Sequence, residues 1–280
     1  MVNCKIGDAL ARGIALLNEN SIETAALDAR VLLCYVLSCD KLYLTVHKND
    51  DMPKDKEKEY FKLLNRRASN EPIGYIVGKK EFMSLDFFVT PGVLIPRPDT
   101  EILVERVIKE CAGAACVIVD MCTGSGAIAV SLAKYIPDAQ VTGLDISSDA
   151  LDIAKKNALH NGVEAEFKYH NVLEPFCGAM ADAVVSNPPY IPDRVVDTLE
   201  SDVLDFEPRI ALAGGDDGLV FYRAIVGNIS SCLKSGGLLA FEVGWDQAED
   251  VMEIMRPFFR DINTDCDLAG IRRVVYGFLK

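Results

Sequence analysis

From residue 116 to the end of the chain, short apolar runs alternate with segments of helical periodicity, and this alternation restricts the fold more than any other feature. The runs are read at 116–120, 140–145, 165–170, 181–186 and 237–243, with helices at 126–135, 149–161, 218–233 and 247–256. Short apolar strands that each need a helix to return the chain imply a parallel sheet covered on both faces. The last segments, 261–268 and 272–279 around Ala269 and Gly270, read as a closing hairpin.

The expected fold is therefore α/β, a Rossmann-like, mostly parallel sheet with a reversed last strand. Residues 6–69 differ: Ala9, Leu10, Ile14 and Leu17, then 25–37, then Tyr60, Leu63 and Leu64 stand at helical spacing and predict a small helical bundle. Residues 54–67 alternate in charge sign and read as a solvated helix face. Pro72 and Gly74 stop that helix, and the β-formers of 75–90 around a glycine-containing turn at 78–80 predict a hairpin. Pro91, Pro96 and Pro98 mark a rigid loop, after which Asp99 or Thr100 is placed to cap a helix carrying Ile102, Leu103, Val107 and Ile108. The 280 residues thus divide into a helical domain at 1–70, a β-hairpin linker at 71–98 and a larger domain at 99–280.

Composition narrows the function classes. No apolar run approaches the roughly 20 residues that cross a bilayer, and Asn3, Cys4 and Lys5 do not read as a signal-peptide core, so a cytoplasmic, membrane-free protein is expected. Nine cysteines include no C-x-x-C pair, Cys177 among them, so neither a disulfide framework nor a metal site is expected. His47, His160 and His170 share no ligand spacing and lie near no nucleophile. The net charge of −13 is uneven: residues 1–80 hold 13 basic and 11 acidic side chains, residues 81–280 hold 16 and 31. Neither part carries the basic stripe that a nucleic-acid backbone requires, so nucleic acid is not expected as a partner.

The turn at Asp120, Cys122, Thr123, Gly124, Ser125 and Gly126 follows one strand and opens a helix, so its glycines let a ligand approach the backbone. Asp145 closes the next strand, where a carboxylate accepts both hydroxyls of an adenosine ribose. A dinucleotide turn would continue G-x-G-x-x-G, but Ala127, Ile128 and Ala129 follow Gly126. A ligand with a ribose and no phosphate, S-adenosylmethionine, fits better. Asp120 is read as holding the turn or, through water, the cofactor's ammonium.

The strand at 181–186 ends in Asn187, Pro188, Pro189 and Tyr190. Two prolines remove two N–H donors and fix the backbone, so the segment presents acceptors. Methylating a planar NH₂ group needs this, because its delocalised lone pair makes it a poor nucleophile. If the Asn187 side-chain oxygen and the Pro188 carbonyl accept the two N–H bonds, the nitrogen is oriented for in-line attack. Tyr190 is expected to flank the planar group with its ring.

With these segments the chain resembles the protein-(glutamine-N5) methyltransferases, specifically the release factor glutamine methyltransferase family of HemK/PrmC type. The resemblance spans essentially the whole length and rests on 71–75 (EPIGY), 94–101 (LIPRPDTE), 120–129 (DMCTGSGAIA), 187–192 (NPPYIP), 206–212 (FEPRIAL) and 214–219 (GGDDGL). It implies a helical substrate-recognition domain, a hairpin linker and a catalytic S-adenosylmethionine-dependent domain. It implies methyl transfer to the glutamine amide nitrogen in the Gly-Gly-Gln motif of class 1 translation release factors, leaving S-adenosylhomocysteine. By matching position, residues 122–126, Asp145 and Asn187 would contact the cofactor, Val172 would lie beside its adenine, and Asn187, Pro188, Pro189 and Tyr190 would hold the glutamine. Two positions depart from the family pattern. Cys122 stands where many members carry glycine, tolerable at negative φ and strained at positive φ, and Val172 replaces an aromatic of some relatives. Three alternatives remain at this point: a glutamine methyltransferase acting on a ribosomal protein, an adenine-N6 nucleic-acid methyltransferase, and a non-catalytic cofactor-binding protein.

Overall fold

The computed structural model describes residues 4–113, 115–176, 178 and 180–280, so Cys177 lies outside the described residues. The chain falls into two units, one reaching Gly78 and including Glu200–Phe206, the other comprising Lys79–Leu199 and Glu207–Lys280.

The first unit is built from α1 (Ile6–Glu19), α2 (Ala25–Leu37), α3 (Lys41–Val46), α4 (Lys54–Ala68) and α5 (Ile73–Val77). Ala9, Leu17, Leu32, Leu33, Tyr60 and Leu64 fill its core. Gly13 permits the closest approach: a Cβ there would stand 2.2 Å from the Tyr60 hydroxyl, which donates to the Ala29 carbonyl at 3.0 Å. The charge-rich α4 is not solvated throughout, because Arg67 is buried and pairs with Asp28 of α2 at 2.8 Å.

The second unit opens with the hairpin β1 (Lys79–Phe82) and β2 (Leu85–Phe88), and here the structure corrects two expectations. Residues 75–77 belong to α5, which Gly78 ends at φ 72. The turn is Met83–Ser84, both at positive φ (50 and 57), the backbone that a two-residue hairpin loop requires. Neither residue is a common choice there. Glu101 accepts from the Met83 amide at 2.7 Å and Tyr135 donates to its carbonyl at 2.6 Å, so contacts distant in sequence hold the turn. Asn157 brackets Phe88, accepting from its amide at 2.7 Å and donating to its carbonyl at 3.0 Å.

There follow α6 (Thr100–Glu110), β3 (Val117–Met121), α7 (Ala127–Tyr135), β4 (Gln140–Asp145), α8 (Ser148–Asn161), β5 (Glu166–Tyr169), β6 (Ala181–Ser186) and α9 (Asp193–Val196). After α10 (Ser201–Leu204), which groups with the first unit, come α11 (Val220–Asn228), β7 (Leu233–Glu242), α12 (Ala248–Met255), β8 (Phe259–Cys266) and β9 (Arg272–Leu279). Asp99 already has helical angles and its side chain caps nothing, while Thr100 is turned into the interior. Neither is the side-chain cap expected for α6. The helix expected at 218–233 is shorter because Gly218, at φ 77, cannot enter it, and β7 starts earlier because Leu233 pairs with Ala181 across a register shift.

The seven strands are ordered β5-β4-β3-β6-β7-β9-β8. Strands β3 to β7 run parallel, and the last strand, β9, is antiparallel to both neighbours. Alternate residues supply two cores: Ile118, Val130 and Val185 on one face, Val119, Val184 and Tyr222 on the other. From β3 the chain builds outward first through β4 and β5, then on the other side through β6 and β7. That reversal leaves a crevice at the carboxyl ends of β3 and β6, where sheets of this kind bind ligands.

Candidate active site

The loop ends at that crevice are tied together. Thr123 donates its amide to the Leu144 carbonyl at 2.9 Å, and the Ser186 hydroxyl donates to the Met121 carbonyl at 2.6 Å. Asp145 spans two loops, one oxygen accepting from the Gly124 amide at 2.8 Å and the other from the Ser147 amide at 2.9 Å. Burial raises its pKa and these amides lower it. Each oxygen keeps a lone pair for a hydroxyl donor.

A cavity is lined by Cys122 and Gly124 after β3, Asp145, Ile146 and Ser147 after β4, His170, Val172 and Leu173 after β5, and Asn187 and Pro189 after β6, with Pro208, Ile210 and Phe221 completing its wall. A smaller cleft is lined by Leu94, Pro96, Arg97, Thr100, Thr123, Ser125 and Ile128, and shares Leu94, Cys122, Gly124 and Asn187 with the first. Asn187 therefore stands where the two meet. Its amide nitrogen donates to the Thr100 hydroxyl at 3.3 Å, and among the described residues no donor meets its Oδ1. Arg97, in the smaller cleft, is held by Glu207 at 2.7 Å and by the Ile95 carbonyl at 3.1 Å.

The cavity suits a ligand that pairs a ribose with a flat apolar surface. No atom lies within 4 Å of where a Cβ on Gly124 would stand, so a ligand can lie against that backbone. The Asp145 carboxylate faces the same space, among apolar Ile146, Val172, Leu173 and Phe221.

Of the residues singled out from sequence, Cys122, Gly124, Asp145, Val172, Asn187 and Pro189 line the larger cavity, and Thr123 and Ser125 the smaller cleft. Asp120, Gly126, Pro188 and Tyr190 line neither. Asp120 is fully buried and holds the turn: one oxygen accepts from the Thr123 hydroxyl at 2.6 Å and the Ala129 amide at 3.2 Å, and the other has no partner. Desolvation pushes its pKa up to about 7. Gly126 serves packing, since a Cβ there would stand 2.9 Å from that of Ala154. The Tyr190 ring does not flank the cavity; its hydroxyl turns inward to Glu242 at 3.5 Å, and burial keeps the phenol neutral.

Thr100, Glu242 and Gln247 adjoin the 187–190 segment, and no sequence motif marks Glu242 or Gln247. Gln247 donates to the Tyr190 carbonyl at 2.9 Å. Gly218 admits that carbonyl, for a Cβ there would lie 2.3 Å from it. The glycines of 214–218 thus shape the 187–190 segment from behind.

Cys122 has φ 63, the strained alternative for a side chain at this turn. Its thiol stays protonated, because burial and then the Asp145 and Asp120 carboxylates raise its pKa. A β-branched side chain tolerates this backbone worse still. Cys122→Val is expected to lose about 1 kcal/mol of stability, about 2–4 °C in Tm, whereas Cys122→Gly should melt at or above the parent. A Cys122→Val melt equal to the parent's would show that the turn relaxes.

Residues 8–78 match the family model of the PrmC N-terminal domain and residues 97–204 that of the methyltransferase small domain. The release factor glutamine methyltransferase of Clostridium acetobutylicum is 44% identical over 277 residues, covering 97% of both chains. That of Geobacter sulfurreducens is 42% identical over 262 residues, covering 93% of this chain and 92% of its own. That of Bacillus cereus is 33% identical over 280 residues, covering 97% and 98%. In fold the chain is similar to a methyltransferase from Pyrococcus furiosus, with TM-score 0.55 and 17% identity over 76% of this chain and 98% of that one. It is also similar to the 16S rRNA N2 G1207 methyltransferase of Thermus thermophilus, solved with AdoMet and guanosine, with TM-score 0.52 and 18% identity over 72% and 50%. On identity over nearly its whole length, the chain belongs to the release factor glutamine methyltransferase family.

Proposed function

We propose that the protein transfers the methyl group of S-adenosylmethionine to the side-chain amide nitrogen of the glutamine in the Gly-Gly-Gln motif of class 1 release factors. The observation that carries this reading is the position of Asn187: it stands at the junction of two cavities, with its NH₂ held by Thr100 and its oxygen uncommitted.

In this reading Asp145 accepts the ribose hydroxyls, the backbone at Gly124 lies along the cofactor, and Ile146, Val172 and Leu173 cover its adenine. The cofactor, once bound, supplies an electrophilic sulfonium methyl. The Asn187 oxygen and the Pro188 carbonyl accept the two N–H bonds of the glutamine amide, which fixes the nitrogen lone pair in line and stabilises the charge that develops there. Pro189 walls the cavity, and Tyr190 anchors the segment through Glu242. No general base is needed, because the amide becomes strongly acidic only after methylation and releases its proton to water. The protonated Cys122 thiol is unsuited to that role, and His170 is tied to the Glu174 carbonyl at 3.2 Å.

The test is incubation with labelled cofactor and three acceptors: a class 1 release factor, ribosomal protein and DNA. Label on the release factor alone is expected. Label on DNA or ribosomal protein instead would replace this reading with one of its rivals. In this reading the partner is a protein rather than nucleic acid or a membrane; among the described residues no helix is long and apolar enough to cross a membrane.

The first unit contains none of the cofactor- or amide-holding residues, and its proposed role is to recognise the protein substrate. Deleting residues 1–70 should raise KM for intact release factor about tenfold or more and leave cofactor affinity in place. A folded truncation with unchanged KM would remove that role.

A further inference from the structure

Glu242 closes β7 with its side chain buried, 3% exposed. One carboxylate oxygen has no hydrogen-bond partner; the other lies 3.5 Å from the Tyr190 hydroxyl. A buried carboxylate is costly to keep charged, and its place beside Thr100 and Asn187 gives it a use. The Thr100 hydroxyl and the Asn187 amide also face it and stabilise its charge.

A carboxylate accepts hydrogen bonds and donates none. Thr100, Asn187 and Tyr190 can each turn a hydrogen toward it, whereas an oxygen lone pair turned the same way is repelled. With Thr100 Oγ1 accepting from Asn187 Nδ2 at 3.3 Å, the Thr100 hydrogen is free to point at Glu242 and the Asn187 NH₂ stays on the inner side. A flipped amide would set its oxygen against the carboxylate and present NH₂ to the cavity. A substrate N–H arriving there would then meet a donor.

We propose that Glu242 is a positioning residue for methyl transfer: through Thr100 and by drawing the Asn187 NH₂ toward itself, it locks the Asn187 amide with its oxygen toward the substrate nitrogen. The inference rests on the reading of Asn187 as the holder of that nitrogen. The lock requires an ionised Glu242. Burial raises that carboxyl to about 7; Thr100 opposes the rise, Asp99 adds to it, and Arg273 and Asn187 oppose it. A protonated Glu242 donates and no longer dictates the amide's orientation, so the lock strengthens as pH rises through 7 and weakens below it. The neighbouring Tyr190 and Tyr222 phenols stay neutral in this range.

The experiment compares full-length wild type, Glu242→Gln, Thr100→Val and Thr100→Ser, with release factor as acceptor and saturating cofactor, from pH 6 to pH 8.5. Wild-type kcat should rise with pH, with a midpoint near 7. Glu242→Gln and Thr100→Val should each lower kcat about tenfold or more at pH 8 while cofactor Kd stays within about twofold. Glu242→Gln should also lose the limb near pH 7, and Thr100→Ser, which keeps the hydroxyl, should recover most of the loss. Asp120, also raised to about 7, titrates in every variant, so the difference between wild type and Glu242→Gln is the readout. An active wild type with kcat and pH profile unchanged in Glu242→Gln would overturn the lock alone. If Glu242→Gln does not fold, equal kcat in Thr100→Val and Thr100→Ser overturns it. A wild type that leaves release factor unmethylated overturns the functional reading and the lock with it.

Discussion

Asn187→Ala is expected to lower kcat on release factor by about 10²–10³ while cofactor affinity stays nearly unchanged, the usual effect of removing an oriented group that acts on the transition state. The separation follows from where the side chain's atoms go. Its nitrogen is engaged by Thr100, and its oxygen is assigned to the acceptor amide. Measured at saturating cofactor, a near-normal kcat would leave Asn187 as a structural residue of its turn. Asn187→Asp is a less clean probe, because it keeps an acceptor but adds a charge near the sulfonium.

The complementary loss belongs to Asp145. Asp145→Ala removes a charged acceptor for two ribose hydroxyls and is expected to weaken S-adenosylmethionine binding by about 2–4 kcal/mol, roughly 30- to 1,000-fold in Kd. Part of the loss is indirect, since the same carboxylate holds the Gly124 and Ser147 amides. Calorimetry on the folded variant reads it directly, and unchanged affinity would take Asp145 out of the site. Asn187→Ala should thus fail in kcat and Asp145→Ala in cofactor Kd, a contrast that a shared folding defect would not produce.

The parts of this architecture legible in the sequence are those specified by neighbours along the chain. Strands 140–145 and 181–186 are legible to the residue because each is a short run of β-formers that ends at a polar residue. The bundle, the glycine turn and the reversed last strand were equally local signals. What sequence reading misplaced depends on contacts between distant residues. The hairpin turn at Met83–Ser84 has no Asn-Gly signature and is held by Glu101 and Tyr135. Tyr190 was assigned to the substrate by its place in the motif, yet its hydroxyl is drawn inward by a residue 52 positions away. Cys122 could be read only conditionally, because its effect depends on a dihedral angle. Glu242 was nevertheless within reach: it is the one charged residue of the stretch 238–243, a carboxylate at the carboxyl end of a buried strand as Asp120 and Asp145 are of theirs.

These corrections move residues from the cavity wall to the layer behind it and leave the proposed chemistry as it was. Tyr190 anchors to Glu242, Gln247 holds the Tyr190 carbonyl, and Asp120 and Gly126 shape the turn. The rise in kcat through neutral pH is expected from Glu242 and not from the Cys122 thiol.

The most direct measurement is mass spectrometric mapping of a class 1 release factor after incubation with the protein and S-adenosylmethionine. A single added methyl, located on the side-chain nitrogen of the Gly-Gly-Gln glutamine and absent with Asn187→Ala, is the predicted result. A methyl on any other residue, or an unmodified glutamine under conditions where the protein binds both cofactor and release factor, would contradict it.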